Sequence, residues 1–165
     1  MLTAYLRNYL DNLDEVTVVL RKEDEALVRQ LQNEVGAKEN LRIVFSENSH
    51  LGMGHSIADG IQASASWQYV LLALGDMPKI QASTIQHLTS ILINAVKSDI
   101  PCIAQPRFTN KNGHPVGFTH HYFTQLKKLS GDKGAKELLE SNDSYLQQFN
   151  CTDPGVLWDL DHKPV

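Results

Sequence analysis

Asp76 is the residue of this sequence whose surroundings point most directly to chemistry. It stands in Gly75-Asp76-Met77-Pro78, immediately after the apolar segment 69–74. A buried strand that ends in a carboxylate places that group at the edge of a sheet. There it can hold Mg²⁺, a hard cation that prefers oxygen ligands and often shares them with substrate phosphates. Asp and Pro are also common in turns after strands, and such an Asp can cap the next helix. This motif alone leaves a metal site and a plain turn as alternatives.

A glycine-bearing loop, Leu51-Gly52-Met53-Gly54-His55-Ser56, is the second candidate. Glycines let the backbone approach a ligand closely, and the amides at a helix N-terminus attract anions. The loop matches neither the dinucleotide-binding fingerprint nor a P-loop. We interpret Ser56 as a helix cap rather than a nucleophile, and His55 has no obvious Asp or Cys partner in the sequence.

Two later segments also carry polar groups. Gly113-His114-Pro115 lies in a loop that also contains Arg107, and on its own this pattern favours a turn with a surface histidine. Asp159 and Asp161 flank Leu160, and alternating side chains of an extended segment point to opposite faces. At most one of these two carboxylates can therefore share a metal with Asp76, and the alternative is a solvated chain end.

Composition and the missing motifs exclude several classes of protein. The 165 residues hold 15 Lys and Arg against 19 Asp and Glu, a net charge of −4 without a basic stripe, so we expect no nucleic-acid partner. The apolar runs are far shorter than a membrane span, and no secretory signal is visible, so we expect a cytoplasmic protein. Covalent-nucleophile motifs are absent. No recognised zinc spacing connects the remaining histidines, which are His50, His87, His120, His121 and His162.

The alternation of strand and helix patterns predicts an α/β fold with a mostly parallel sheet in a single domain, residues 1–165. Parallel sheets bind ligands beyond the carboxyl ends of their strands, where the loops after residues 45 and 74 meet. The predicted strands are 16–20, 41–45, 69–74, 101–105, 115–118, 146–150 and 156–160. The predicted helices are 2–13, 21–36, one through Ile57 and Ile61, one capped by Ser83, 122–129 and 135–140.

Taken in order, these motifs resemble the MobA-like nucleotidyltransferases, and most closely their molybdenum-cofactor cytidylyltransferase branch. The likeness extends from about residue 15 to residue 161. The matching segments are Gly52–Ser56 with Gly60, Leu74–Pro78, Gly113–Pro115 with Phe118, residues 129–135 with Leu138 and Leu139, and Asp159–Asp161.

The resemblance implies a Rossmann-like three-layer sandwich of the nucleotide-diphospho-sugar transferase type. It also implies Mg²⁺-dependent transfer of a nucleotidyl group from an NTP, with CTP as the best guess, to a phosphorylated acceptor such as the molybdopterin cofactor. Asp76 would be the principal metal ligand, with Asp159 or Asp161 near the same ion, and His114 would donate a hydrogen bond to a phosphate. The residues that it assigns to nucleotide or acceptor binding are Gly52, Met53, Gly54, Ser56, Gly75, Met77, Pro78 and Gly113.

The sequence departs from this family at both ends. The family's Gly-rich loop, of the type Ala-Ala-Gly-x-Ser-x-Arg-x-Gly-x-x-Lys, does not occur, and the pattern after Asp161 differs, so we expect a domain shortened at the N-terminus and possibly at the C-terminus. Segments 16–20 and 69–74 should be adjacent only if the sheet has closed over the gap, and otherwise a strand-wide slot should separate them. We also predict weak NTP binding and a low or broad thermal transition. The alternative function is a non-catalytic relative that binds nucleotide or phosphate.

Overall fold

The computed structural model describes residues 2–36 and 38–160, with side chains from residue 6 onward in these ranges. The helices are α1 Leu2–Asn12, α2 Glu25–Val35, α3 Met53–Ala63, α4 Ala82–Lys97, α5 Phe123–Leu126 and α6 Lys136–Ser141. The strands are β1 Val16–Arg21, β2 Leu41–Ser46, β3 Tyr69–Leu72, β4 Ile103–Phe108, β5 Lys111–Asn112, β6 Val116–Thr119 and β7 Leu146–Asn150. No helix of this part of the chain is long and apolar enough to cross a membrane.

The strands form two sheets, and the predicted α/β class is confirmed. Strands β1 and β2 pair in parallel. The other sheet has the order β3-β6-β4-β5, with β7 also paired to β4. This second sheet is mixed, because β7 runs parallel to β4 whereas β6 is antiparallel to both β3 and β4.

Alternate side chains of the strands face two helical layers, which gives the predicted three-layer arrangement. On β3, Val70 packs in the cluster that contains Ile61 of α3, whereas Leu71 packs against the cluster that contains Leu88 of α4. Strand β1 behaves in the same way, since Leu20 joins the core of α1 and α2 while the Val19 side chain lies against Gly60 of α3. Helices α1, α2 and α4 therefore cover one face, and α3, α5 and α6 cover the other.

A cleft of about 1690 Å³ separates the two sheets. Its sides are formed by β1 and by residues 69–75, while side chains of α1 and α3 line its two faces. Within the described residues, β1 pairs only with β2, and β3 pairs only with β6. The predicted slot between these two strands is therefore confirmed.

Several predicted local structures are wrong. Residues 156–160 do not form a strand, because Pro154 starts a 3₁₀ turn over Pro154–Leu157 in which the Asp153 side chain accepts a hydrogen bond from Gly155 N. Helix α4 begins earlier than predicted, with Gln81 rather than Ser83 at its N-cap. Ser56 lies inside α3 rather than at its cap, which is Gly52.

Candidate functional site

The cleft brings together the three segments that the sequence singled out. Met53 and Ser56 line it from the start of α3, Gly75 lines it from the loop after β3, and His114 lines it from the loop before β6. Parallel β1 and β2, together with β3, deliver their carboxyl ends to this region, as expected for an open α/β sheet. Asp76 itself is not among the residues that line the cleft, so the predicted convergence of Asp76 and the other two segments on one cleft stays a prediction, as does the chemical role of each residue.

Asp76 carries a carboxylate oxygen that lacks a protein partner. Its Oδ1 is buried and makes no hydrogen bond to any described residue. The Asp76 carbonyl oxygen accepts a hydrogen bond from Leu160 N at 3.0 Å, so the chain segment that contains Asp159 runs beside Asp76. Asp161, the other predicted metal ligand, lies outside the described residues. The structure thus places one of the two later carboxylates in the same neighbourhood as Asp76.

His114 is a partly buried imidazole close to Asp76. Burial lowers its pKa from the ordinary 6.5, and the carboxylate of Asp76 and the Leu72 backbone act in the opposite direction. Its Nδ1 is buried and makes no hydrogen bond within the described part of the chain. The backbone amide of His114 donates to Val156 O at 2.9 Å, which anchors the loop, and the His114–Pro115 peptide is cis. At neutral pH the ring is uncharged, with one nitrogen to donate and one to accept.

The two glycines of the first loop serve close backbone packing. A Cβ on Gly52 would lie 2.3 Å from the carbonyl carbon of Gly131, and one on Gly54 would lie 2.7 Å from backbone atoms of Ser130. Gly54 N also donates to Gly131 O at 2.8 Å. Neither glycine lines the cleft, and Met53 and Ser56 present this segment to it instead. Contact of Gly52 and Gly54 with a ligand stays a prediction.

Three other predicted binding residues also lie away from the cleft surface. Met77 is buried in the apolar cluster with Ile80 and Ile85, and neither it nor Pro78 lines the cleft. Gly113 is buried against the 3₁₀ turn, where an added Cβ would lie 2.7 Å from the Val156 side chain. These residues shape the loops that carry Asp76 and His114.

The sequence analysis missed a polar wall of the same cleft. Gln148 Nε2 donates to Gln105 Oε1 at 3.1 Å and to Asn112 Oδ1 at 3.0 Å, and all three residues line the cleft beside Arg107. Arg107 Nε is buried without a partner among the described residues. A glutamine within the largely apolar strand β4 was the available signal. Gln105 and Gln148 are neighbours because β4 and β7 pair in parallel in this register. No pattern within either segment predicts that pairing.

A buried carboxylate, Asp153, holds the loops of the site together and was also missed. Its Oδ2 accepts from Gln81 N at 2.8 Å and from Thr84 Oγ1 at 2.7 Å, at the start of α4. Its Oδ1 accepts from Gly155 N at 2.8 Å. Because the same turn receives the amide of His114 at Val156 O, Asp153 links α4 to the loop that carries His114.

Comparison with known protein families assigns the chain to one of them. The family described as MobA-like NTP transferase domain matches residues 1–147. The chain belongs to this family. Among curated proteins, this MobA-like chain is similar to purine catabolism protein PucB of Bacillus subtilis (strain 168), with 26% identity over 154 residues, which is 90% of this chain and 72% of PucB.

Solved structures share the MobA-like fold at low sequence identity. Rv0371c of Mycobacterium tuberculosis H37Rv is 22% identical, with a TM-score of 0.69 over 91% of this chain and 72% of that one. A nucleotidyl transferase from Methanothermobacter thermautotroptrophicus is 16% identical, with a TM-score of 0.71 over 98% and 74%. The 4-diphosphocytidyl-2C-methyl-D-erythritol synthase of Anaerococcus prevotii DSM 20548 is also 16% identical, with a TM-score of 0.72 over 98% and 80%. These likenesses confirm the nucleotide-diphospho-sugar transferase type of fold.

Proposed function

We propose that this MobA-like chain is a Mg²⁺-dependent nucleotidyltransferase that moves a nucleotidyl group from an NTP to a phosphorylated acceptor. The observation that carries the proposal is the buried Oδ1 of Asp76, which has no hydrogen-bond partner in the described residues. It lies near His114, whose side chain lines the cleft together with Met53 and Ser56. A buried carboxylate oxygen without a protein partner fits a group whose usual partner is a ligand.

The donor set at this position fits a magnesium ion. Asp76 supplies an unpartnered carboxylate oxygen, and the segment that contains Asp159 is hydrogen-bonded to the Asp76 backbone. Mg²⁺ is characteristically held by one or two carboxylates together with substrate phosphates. Asp76, with Asp159 beside it, would hold the ion, which when bound supplies positive charge to the triphosphate. A manganese complex of Rv0371c supports a divalent ion in a protein of this fold.

His114 and Arg107 are the groups of this chain suited to the phosphates. The neutral imidazole of His114 can donate one hydrogen bond to a phosphate oxygen without adding a charge. Arg107 lines the same cleft and has a buried, unpartnered Nε, which is a natural donor to an oxyanion. Phosphoryl-type transfer depends mainly on such positioning and charge stabilisation rather than on a covalent protein intermediate.

The finer substrate assignment is CTP as donor and a molybdopterin-type acceptor. A cytidyl-transferring synthase shares the fold, which supports the choice of CTP. The structural relatives also include a molybdopterin-guanine dinucleotide biosynthesis protein A from Archaeoglobus fulgidus, which supports an acceptor of the molybdopterin class. We further propose a cytoplasmic location, consistent with the free thiols of Cys102 and Cys151.

Pyrophosphate release tests this function. The chain is incubated with Mg²⁺ and each of the four NTPs in turn, with and without molybdopterin cofactor, and pyrophosphate is measured. We expect release that requires both Mg²⁺ and the acceptor, is fastest with CTP, and rises with NTP up to millimolar concentrations because binding is weak. NTP binding without pyrophosphate release under any condition would overturn the transferase and favour a nucleotide-binding module.

A further inference from the structure

Two histidines and an aspartate meet at the end of the second sheet that lies opposite to the end followed by Asp76. Asp99 follows α4, whereas His120 and His121 begin the 3₁₀ turn after β6. One ring nitrogen from each histidine and one carboxylate oxygen of Asp99 lie within 4.8 Å of one another. No sequence spacing shows this cluster, because strand pairing alone brings the turn after α4 next to the end of β6.

The contacts of His121 orient its ring towards Asp99. His121 Nδ1 lies 3.3 Å from Thr119 Oγ1, and that hydroxyl donates to the Cys102 carbonyl at 3.4 Å. With its proton used in this way, the hydroxyl accepts from Nδ1–H, which leaves a lone pair on Nε2. His121 Nε2 then faces Asp99 Oδ1 at 3.3 Å. In this tautomer Nε2 and the Asp99 carboxylate can bind a metal ion between them, whereas protonation of Nε2 gives a plain ion pair with Asp99.

His120 offers a further nitrogen to the same place. Its backbone amide donates to Gln68 O at 2.8 Å, which fixes the start of the turn. Its ring lies 4.1 Å from that of His121 between centroids, with the planes inclined at 32°. His120 Nδ1 is buried and has no hydrogen-bond partner in the described residues. A buried nitrogen without a partner is costly unless a ligand completes it.

We propose that Asp99, His120 and His121 form a Zn²⁺ site. Two imidazoles and one carboxylate are a characteristic zinc donor set, and a fourth position can be taken by water. Asp99 is 85% exposed, so solvent has access to that position. In tetrahedral zinc with bonds of about 2.1 Å, neighbouring ligand atoms are about 3.4 Å apart. The Asp99–His121 distance matches this value, and the three ligand atoms lie within 4.8 Å of one another, so zinc binding requires the His120 ring to move closer to the other two ligands.

The position of this site separates it from Asp76 and His114. Thr119, just before the histidines, pairs with Tyr69 at the start of β3, whereas Asp76 follows the other end of that strand. The strand alone separates the two places by roughly 10 Å. A zinc ion here would tie the turn between α4 and β4 to the turn between β6 and α5. The proposal is therefore independent of nucleotidyl transfer.

Isothermal titration of the chelator-treated chain with ZnCl₂ tests the site. We expect one equivalent of Zn²⁺ to bind, a rise in Tm on binding, and no competition from excess Mg²⁺, which prefers all-oxygen sites. Replacement of Zn²⁺ by Co²⁺ should give the strong visible absorption of a tetrahedral site with nitrogen ligands. Absence of stoichiometric Zn²⁺ binding, or displacement of the ion by Mg²⁺, would overturn the proposal.

Two variants separate the site from adventitious binding. Asp99 has φ +52°, a conformation that asparagine tolerates, so Asp99→Asn removes the charge with little strain. We expect Asp99→Asn and His121→Ala each to weaken Zn²⁺ binding at least about tenfold. His50→Ala, at an exposed histidine in another 3₁₀ turn, is the control and should leave the affinity unchanged. Equal affinity in all four proteins would overturn the site, and circular dichroism of the metal-free forms verifies that each variant is folded.

Discussion

Asp76 and His114 each leave a buried polar atom without a protein partner at the same place in the molecule. A buried, unsatisfied polar group costs about 1–3 kcal/mol, so a pair of them near one another is unusual for a purely structural loop. Burial also lowers the pKa of His114, which favours the neutral ring near pH 7. These two residues therefore connect the local structure to the proposed chemistry.

The lowered pKa of His114 predicts a pH-dependent stability. The unfolded chain takes up a proton at the ordinary value of 6.5, whereas the folded chain resists protonation down to a lower pH. Stability from this group is therefore fully present above the unfolded pKa and is lost as pH falls through the folded pKa. We expect the free energy of unfolding, measured by urea denaturation, to fall between about pH 7.5 and about pH 5.5.

His114→Gln identifies the source of that pH dependence, because glutamine does not titrate. This variant should show a shallower fall in unfolding free energy than the wild type over the same pH range. His87→Gln, at an exposed position on α4, is the matched control and should follow the wild type. A His114→Gln curve with the wild-type slope would contradict the assignment.

At the scale of elements, Asp153 connects α4 with the 3₁₀ turn that anchors the His114 loop. Three donors converge on its carboxylate, and the residue is 2% exposed. The nearby Gly155 has room only for a hydrogen, since an added Cβ would lie 2.1 Å from Lys79 O. The elements around the site are thus locked to each other by polar contacts and close backbone packing.

Asp153→Asn should destabilise the fold by roughly 2 kcal/mol. The three donors now bond to both carboxylate oxygens of Asp153, whereas asparagine keeps only one acceptor oxygen. The measurement is the free energy of unfolding in urea. Asp143→Asn, at an exposed position in another 3₁₀ turn, is the control and should change stability by less than about 0.5 kcal/mol. If Asp153→Asn lowers the free energy of unfolding by no more than this control does, the proposed role of Asp153 in linking α4 to the 3₁₀ turn is contradicted.

The close contact between α3 and the loop at Ser130 predicts a reversal of ordinary helix propensity. Alanine is favoured over glycine by about 1 kcal/mol in a helix, yet Gly54→Ala would place Cβ 2.7 Å from the Ser130 backbone. We expect Gly54→Ala to lower the melting temperature. Gly60→Ala in the same helix meets only the Val19 methyl group, at 2.9 Å, and should cost less. An equal or larger loss at Gly60 would contradict this packing argument.

At the scale of the whole molecule, the cleft divides the fold into two sheets that helices α1 and α3 hold together. The facing edges of β1 and β3 have no strand partner among the described residues. Exposed strand edges leave backbone groups unpaired and are a route to association between chains. The same opening that gives access to His114 therefore weakens the sheet.

We expect a low or broad thermal transition whose midpoint depends on protein concentration, with light scattering that rises as the chain unfolds. Differential scanning calorimetry at several concentrations provides the measurement. The van't Hoff enthalpy should be smaller than the calorimetric enthalpy, as in unfolding that is not two-state. A sharp, concentration-independent, two-state transition would contradict this view of the cleft.

Most of the fold could be predicted from local pattern. The apolar spacing of α1, the β-branched run of β1 and the polar breaks between segments predicted the elements, whereas the three-layer arrangement followed from the family resemblance. The opening between β1 and β3 was expected from the family resemblance and not from any local pattern in the two strands. The antiparallel direction of β6 could not be predicted, because its short sequence carries no information on direction. The 3₁₀ turn at Pro154 depended on the Asp153 side chain, which contacts residues far away in the chain.

The site was predictable in its centre and less so in its surroundings. The motifs around Asp76 and His114 marked the two loops that meet, because chemistry limits which residues can follow a strand. The wall of Gln105, Asn112 and Gln148 depends on strand register, and the packing of Gly54 depends on a distant loop. Neither the strand register nor this packing contact can be predicted from the local sequence around the residues involved.

Pyrophosphate release by the Asp76→Asn variant tests the central claim most directly. Wild type, Asp76→Asn and the control Asp11→Asn, which changes an exposed residue of α1, are compared with CTP, Mg²⁺ and acceptor at saturating concentrations. Asparagine keeps the shape of the side chain but removes its charge, so unfolding free energies should be similar in all three proteins. We predict a loss of roughly 100-fold or more in the release rate of Asp76→Asn and an unchanged rate in Asp11→Asn. A wild-type rate in Asp76→Asn would contradict the account.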